Sequence, residues 1–154
     1  MDSIENRMKE LGLEMPPAPK PLAQYVPAKL VGNLVFVSGQ GPMKDGKPIH
    51  TGRVGADLSL EEGAACARLC ALNCLAAVRS VVGTLDRVEE IVQLRGFVSS
   101  APGFDKQPEV LNGASELLLQ LFGEKGRHAR AALGTCILPR NIPIELEMVV
   151  RVRT

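Results

Sequence analysis

Hydrophobic and polar positions follow two rhythms along this chain, and together they predict the element order β-β-α-β-α-β-β. Apolar runs on both sides of Gly32-Asn33, a two-residue turn, predict a hairpin over 30–37. Apolar residues recur at helical spacing after the capping box of Ser59 and Glu62, which predicts a helix from there to about Val82. A second helix is predicted over 108–122, and strands are predicted over 88–99, 130–138 and 144–152.

The N-terminal segment has a different character. A short helix is predicted over 3–11, with Ser3 as its N-cap. The proline-rich stretch 15–21 is expected to be an extended connector, because proline cannot continue a helix. The later loop contains Asp45-Gly46, which is typical of a tight turn.

Two helices on one face of a mixed sheet would close such an order into a single domain over residues 1–154. The other face of the sheet would then need a cover. Val149, Val150 and Val152 suggest that this second face is too apolar to lie in water, so an oligomer is predicted.

Composition narrows the function classes. The chain has 18 Lys and Arg against 17 Asp and Glu, with 3% aromatic residues and no Trp. Nucleic-acid binding depends on clustered cations and stacking aromatics, so no nucleic-acid partner is expected. The N-terminus has no apolar signal region, and the longest apolar stretches look too interrupted to cross a membrane. We therefore expect a cytoplasmic protein.

Cysteine and histidine give little support to metal or nucleophile chemistry. Cys66, Cys70 and Cys74 line one helical face but are spread over about 12 Å, too far for one ion, and buried cysteine packs as a small hydrophobe. The two histidines, His50 and His128, lie outside any known nucleophile motif, and His128 is the better candidate because it neighbours Arg130. No metal is expected, and no Walker A or dinucleotide motif is present.

Arg130 and Glu145 are the strongest candidates for chemistry. A guanidinium can hold a carboxylate through two parallel hydrogen bonds, and a carboxyl group opposite it could orient a water molecule. Glu145 and Glu147 alternate with apolar residues, so both acids should face the same side of their strand. Spacing alone favours an ordinary cross-strand salt bridge between Arg130 and these acids on a solvated face over a catalytic pairing.

Several segments resemble the YjgF/RidA family of imine deaminases. The resemblance is carried by Tyr25-Val26, by 32–40 (Gly-Asn-Leu-Val-Phe-Val-Ser-Gly-Gln), by 130–139, and by 144–147 (Ile-Glu-Leu-Glu). It covers about residues 25–152, and the chain resembles a longer branch with an extension over 1–24 before a core over 25–154.

The resemblance implies a chorismate-mutase-like α+β fold, a homotrimer, and sites in the clefts between subunits. It further implies cofactor-free hydrolysis of 2-aminoacrylate-type enamines and imines to 2-keto acids and ammonia. Arg130 would hold the substrate carboxylate and Glu145 would position water. The other matching positions would line the cleft: Tyr25, Gly39, Phe97, Ala132 and His128.

Two departures from the family pattern lie beside the arginine. Ala132 stands where a cysteine is common, and His128 stands where a proline is usual. His128, with Arg127, could alter the choice of substrate. Two other functions remain open: a regulatory trimer that binds a small carboxylate without turnover, and the ribonuclease activity attached to family names, which the balanced charge disfavours.

Overall fold

The computed structural model describes residues 3–20 and 23–154, which form three α-helices, three short 3₁₀ helices and seven strands. The α-helices are α1 (Ile4–Glu10), α2 (Leu60–Val82) and α3 (Gln107–Phe122). The strands are β1 (Ala28–Val31), β2 (Leu34–Gln40), β3 (Met43–Lys44), β4 (Lys47–Pro48), β5 (Val88–Ser99), β6 (Ala129–Thr135) and β7 (Ile144–Val152).

Five strands form one mixed sheet in the order β1-β2-β7-β5-β6. Neighbouring strands are antiparallel except for β5 and β6, which are parallel. The helices α2 and α3 cover one face, so the predicted arrangement of two helices on one face of a mixed α+β sheet is confirmed. We call the opposite face, which neither of these two helices covers, the open face.

Most element boundaries follow the sequence pattern closely. Ser59 and Glu62 form the predicted reciprocal capping box, and Gly83 ends α2 with a positive φ. The Gly32-Asn33 and Asp45-Gly46 turns both connect hairpins. Strand β6 ends three residues earlier than predicted, because its parallel neighbour β5 ends at Ser99, which pairs with Thr135.

The N-terminal helix is also present, capped by the Ser3 hydroxyl as predicted. Its Met8 side chain is only 2% exposed, and Arg7 donates a hydrogen bond to the Leu121 carbonyl at the end of α3. Residues 13–20 contain no helix or strand, whereas Pro21 of the predicted connector lies outside the described residues.

The apolar face of β7 corrects the argument that predicted an oligomer. Val150 and Val152 are 0% and 1% exposed because they point toward the helices, and only Val149 of the three valines lies on the open face. That face nevertheless carries large exposed apolar side chains, namely Tyr25, Phe36 and Leu133, each close to half exposed.

Helix α2 is the core helix of the fold. It is long and apolar enough to cross a membrane by length and composition, contrary to the sequence expectation, but 67% of its most apolar window is buried within the protein. Cys66, Cys70 and Cys74 are fully buried, which confirms their packing role. Asn73, a buried polar residue of α2, donates hydrogen bonds to the Gly41 and Met43 carbonyls and so ties the loop after β2 to α2.

Candidate functional site

Glu145 lies on the open face, where an irregularity in β2 brings the backbone close to its carboxyl group. Val37 pairs with Met148 but Gln40 pairs with Leu146, so β2 has one extra residue in this interval. A Cβ atom at Gly39 would lie 2.6 Å from Oε1 of Glu145. Only glycine therefore leaves room for the carboxyl group to rest against β2.

The environment of Glu145 favours its protonated form. Partial burial raises the pKa of the Glu145 carboxyl, and the nearby charge of Glu147 raises the pKa further. Glu147 is itself paired with Arg95, at 3.0 Å between Oε1 and Nη1. Glu147 thus forms a cross-strand ion pair of the kind that the spacing indicates, but its partner is Arg95 and not Arg130.

Phe97 and Tyr25 share the open face with Glu145. Phe97 pairs directly with Glu145 across β5 and β7 and is half-buried. Tyr25 precedes β1 and lines a groove of about 490 Å³ together with Phe36, Arg95 and Glu147. The Ser38 hydroxyl donates a 2.6 Å hydrogen bond to the Val26 carbonyl, which fastens the Tyr25 segment to the β2 bulge.

Arg130 lies on the opposite face of the sheet, at the outer strand β6. It pairs in register with Leu94, which is fully buried beneath the helices. Its Nη1 atom donates to Asn112 Oδ1 at 2.8 Å and to Ser115 Oγ at 3.1 Å, both on α3. The guanidinium is therefore held against α3 and remains exposed to solvent.

His128 adjoins this arginine cluster. Its Nε2 lies 2.9 Å from Ser115 Oγ and its Nδ1 lies 2.6 Å from the Gly126 carbonyl oxygen. Burial lowers the pKa of the imidazole; the Gly126 hydrogen bond raises it, and the Arg130 charge lowers it. Arg127, by contrast, pairs with Glu124 and does not join the cluster.

The predicted site residues thus fall into two groups on opposite faces of one sheet. Glu145, Gly39, Phe97 and Tyr25 belong to the open face. Arg130 and His128 lie on the helix side, where Ala132 also packs, half-buried against the core. A small ligand cannot touch both groups of one chain, because β5 and β6 with their backbone lie between them.

Comparison with known proteins places this arrangement in a family. The sequence profile of the family described as "YjgF/chorismate mutase-like, putative endoribonuclease" matches residues 5–150. The chain belongs to the YjgF/chorismate-mutase-like family. Protein TCP17 of Trypanosoma cruzi is 42% identical over 148 residues, which cover 96% of this chain and 92% of that protein.

Two solved structures of the YjgF-like fold are similar over nearly the whole chain. Atu1372 of Agrobacterium tumefaciens is 44% identical with a TM-score of 0.91, covering 99% of this chain and 95% of its own. A Shewanella oneidensis protein that carries the same endoribonuclease description is 35% identical with a TM-score of 0.94, covering 97% and 99%. The predicted YjgF/RidA resemblance and the chorismate-mutase-like fold are therefore confirmed.

Other groups in this YjgF-like chain offer little alternative chemistry. Within residues 3–20 and 23–154, no three His, Cys, Asp or Glu side chains are grouped to hold a metal ion. Burial raises the pKa of the Cys66 thiol to about 11, and burial also raises the pKa of the Cys70 and Cys74 thiols. These thiols are therefore protonated at neutral pH and poor nucleophiles.

Sequence reasoning missed three residues that contact or anchor the candidate site residues. Asn112 and Ser115 lie inside the helix predicted over 108–122 and carry no motif of their own, yet both bind Arg130. Their separation of three residues puts them on one helical face, but nothing in the sequence shows that this face meets β6. Ser38, which anchors the Tyr25 segment, gave no signal beyond its place at the end of a strand.

Proposed function

We propose that this protein hydrolyses reactive 2-imino acids and their enamine tautomers to 2-keto acids and ammonia, in clefts between the subunits of a homotrimer. In this proposal Arg130 binds the substrate carboxylate and Glu145 positions the attacking water. Tyr25, Gly39, Phe97 and Ala132 line the cleft. The observation that carries the proposal is the presence of two complementary groups. The guanidinium of Arg130 is exposed and held in one orientation, and the carboxyl group of Glu145 is half-buried and has a raised pKa.

The guanidinium has the geometry that carboxylate binding requires. Two hydrogen bonds to α3 engage Nη1, and among the described residues Nε and Nη2 of Arg130 have no hydrogen-bond partner. These two nitrogens form one edge of a planar group, and that edge matches the two oxygens of a carboxylate. A lysine could not offer the same two parallel bonds.

The Glu145 carboxyl group suits the proton transfers of imine hydrolysis. Water adds to the electrophilic imine carbon, and the resulting carbinolamine collapses to a ketone as ammonia departs. One group must therefore accept a proton from water and return a proton to the leaving nitrogen. A carboxyl group whose pKa is raised toward neutrality can perform both steps.

The need for two chains follows from the positions of the two groups. Arg130 and Glu145 lie on opposite faces of the sheet, so we infer that the arginine of one subunit meets the carboxyl group of its neighbour. The exposed Tyr25, Phe36 and Leu133 side chains support the same inference, because they give the open face an apolar surface that a partner subunit would cover.

The test is the rate at which the full-length protein hydrolyses 2-iminobutanoate or 2-iminopropanoate, generated in place by an amino-acid oxidase. We expect Arg130→Ala to lower kcat/KM at least about 100-fold, because a hydrogen-bonded charge pair is lost. Arg130→Lys should recover little of this activity, since lysine lacks the planar fork. Arg127→Ala is the matched control, because it removes a neighbouring cation that pairs with Glu124 instead.

The outcomes separate the candidate functions. An unchanged rate in Arg130→Ala would contradict the assignment of this arginine. Wild-type protein that binds a 2-keto acid in calorimetry but does not accelerate imine hydrolysis would favour the alternative, a regulatory trimer that senses a small carboxylate.

A further inference from the structure

A continuous chain of hydrogen bonds connects the backbone near β6 to the candidate carboxylate site. It runs from the Gly126 carbonyl to His128, from His128 to Ser115, and from Ser115 to Arg130. Asn112 holds the same nitrogen of Arg130 from one helical turn earlier on α3. Neither the family resemblance nor the sequence pattern indicates these contacts. They join residues of α3, of the turn at Gly126 and of β6 with the residue before it.

The chemistry of the acceptors fixes the direction of each hydrogen bond. A carbonyl oxygen can only accept, so Nδ1 of His128 carries a hydrogen and donates it to Gly126. In the neutral ring Nε2 is then an acceptor, and it takes the hydroxyl hydrogen of Ser115. The Ser115 oxygen in turn accepts from Nη1 of Arg130. Neutral His128 therefore satisfies every member of the chain.

The same contacts determine which part of the guanidinium faces the solvent. Nη1 has two hydrogens, and Asn112 and Ser115 accept one each. Fixing both hydrogens sets the plane of the guanidinium and reduces the rotamer freedom that ligand binding would otherwise remove. The edge formed by Nε and Nη2 of Arg130 therefore faces the solvent in an orientation that can bind a carboxylate.

We propose that Asn112, Ser115 and His128 are positioning residues that orient Arg130 for carboxylate binding, and that this orientation requires His128 to be neutral. The proposal rests on the assignment of Arg130 as the carboxylate ligand. It gives His128 a role through Arg130 in place of direct substrate contact, since both of its ring nitrogens are engaged within the chain.

Protonation of His128 would disrupt the chain in a defined way. Nε2 would gain a hydrogen, so the Ser115 hydroxyl would lose its acceptor and have to turn toward another group. The new charge would also lie beside Arg130 on β6, while α3 presents the uncharged Ser115 and β5 the apolar Leu94 in register with Arg130. On the preceding turn, Glu124 is paired with Arg127 and leaves the imidazolium without a compensating partner there.

The test measures calorimetric binding of 2-oxobutanoate to the full-length protein from about pH 8 to about pH 5, the range in which histidine titrates. Ser115→Ala should weaken binding about tenfold, the loss expected for one hydrogen bond to a charged group, while Ser115→Thr, which keeps the hydroxyl, should bind nearly as the wild type does. In turnover, Ser115→Ala should raise KM and leave kcat close to its wild-type value. Arg127→Ala is the control for a nearby cation and should change affinity less than about twofold.

Acidification should weaken binding to the wild-type protein, whereas His128→Gln, which accepts a hydrogen bond but does not titrate, should keep its affinity at low pH. Protonation of Glu145 would act in the opposite sense, because it removes a negative charge near an anion. Unchanged affinity in Ser115→Ala, or an acid-induced loss that persists in His128→Gln, would overturn the positioning role. If Arg130→Ala abolished binding while Ser115→Ala and His128→Gln left it unchanged, the positioning role would be wrong and the proposed function would still stand. If the wild-type protein bound no 2-keto acid, both proposals would fail.

Discussion

At the scale of single residues, two carboxyl groups on one strand have different surroundings. Glu145 and Glu147 are two residues apart and share the open face, but among residues 3–20 and 23–154 only Glu147 has a close cation, Arg95. Glu145 instead rests against the Gly39 backbone, where partial burial raises its pKa. An unpaired carboxyl group in such a position costs stability and is typical of a functional residue.

The raised pKa of Glu145 predicts the direction in which kcat depends on pH. If Glu145 must be ionised to activate water, kcat should fall on acidification through a pKa that lies above the ordinary range of a glutamate. Glu147→Gln removes the like charge, so it should lower the pKa of Glu145 and move this acid limb to lower pH. The measurement is the pH profile of kcat for both proteins. Coinciding acid limbs would contradict the assignment.

Glu145→Gln is the control for that profile. It should lower kcat by about 100-fold or more, the usual contribution of a general base. It should also raise the melting temperature at neutral pH. The folded state binds the Glu145 proton more tightly than the unfolded state, so the ionised carboxyl group destabilises the fold above its usual pKa, and the neutral amide relieves that cost.

At the scale of elements, the bulge in β2 connects backbone geometry to the site. The extra residue between Val37 and Gln40 turns Gly39 toward Glu145, and the Ser38 hydroxyl holds the Tyr25 segment from the same point. Bulges are common beside active sites because they re-aim the backbone locally without disturbing the rest of the sheet.

Gly39→Ala should therefore lower activity by displacing the Glu145 carboxyl group, with little effect on the rest of the fold. A double-mutant cycle tests the route of this effect. In the Glu145→Ala background the new methyl group meets no carboxyl group, so Gly39→Ala should cause no further loss of imine hydrolysis. Additive losses in the double variant would mean that Gly39 acts independently of Glu145.

The elements themselves were largely predictable, whereas the contacts between them were not. The capping box at Ser59 and the turn at Gly32-Asn33 fix local backbone geometry, and both occur where the sequence indicates. The face of β7 that meets the helices depends on how α2 docks, so the sequence pattern places Val150 and Val152 on the wrong side. The partners of Arg130 come from α3, some 15 to 18 residues earlier in the chain, and no local pattern encodes that meeting.

At the scale of the whole molecule, we infer that the chain folds as one domain, in which residues 3–20 of the N-terminal extension pack on the core. Buried Met8 and the hydrogen bond from Arg7 to the Leu121 carbonyl support this inference. The sheet then separates the molecule into a helix side with Arg130 and an open face with Glu145. Each subunit would contribute one half of two different clefts.

Mixing two inactive variants tests this division directly. Arg130→Ala subunits keep Glu145, and Glu145→Gln subunits keep Arg130, so a cleft formed between the two can contain both native residues. If the variants are unfolded and refolded together in equal amounts, random assembly should restore about a quarter of the wild-type sites. Each variant refolded alone is the control and should stay inactive. Absence of recovery, in mixtures shown by mass spectrometry to contain mixed trimers, would mean that the two residues do not meet across a subunit boundary.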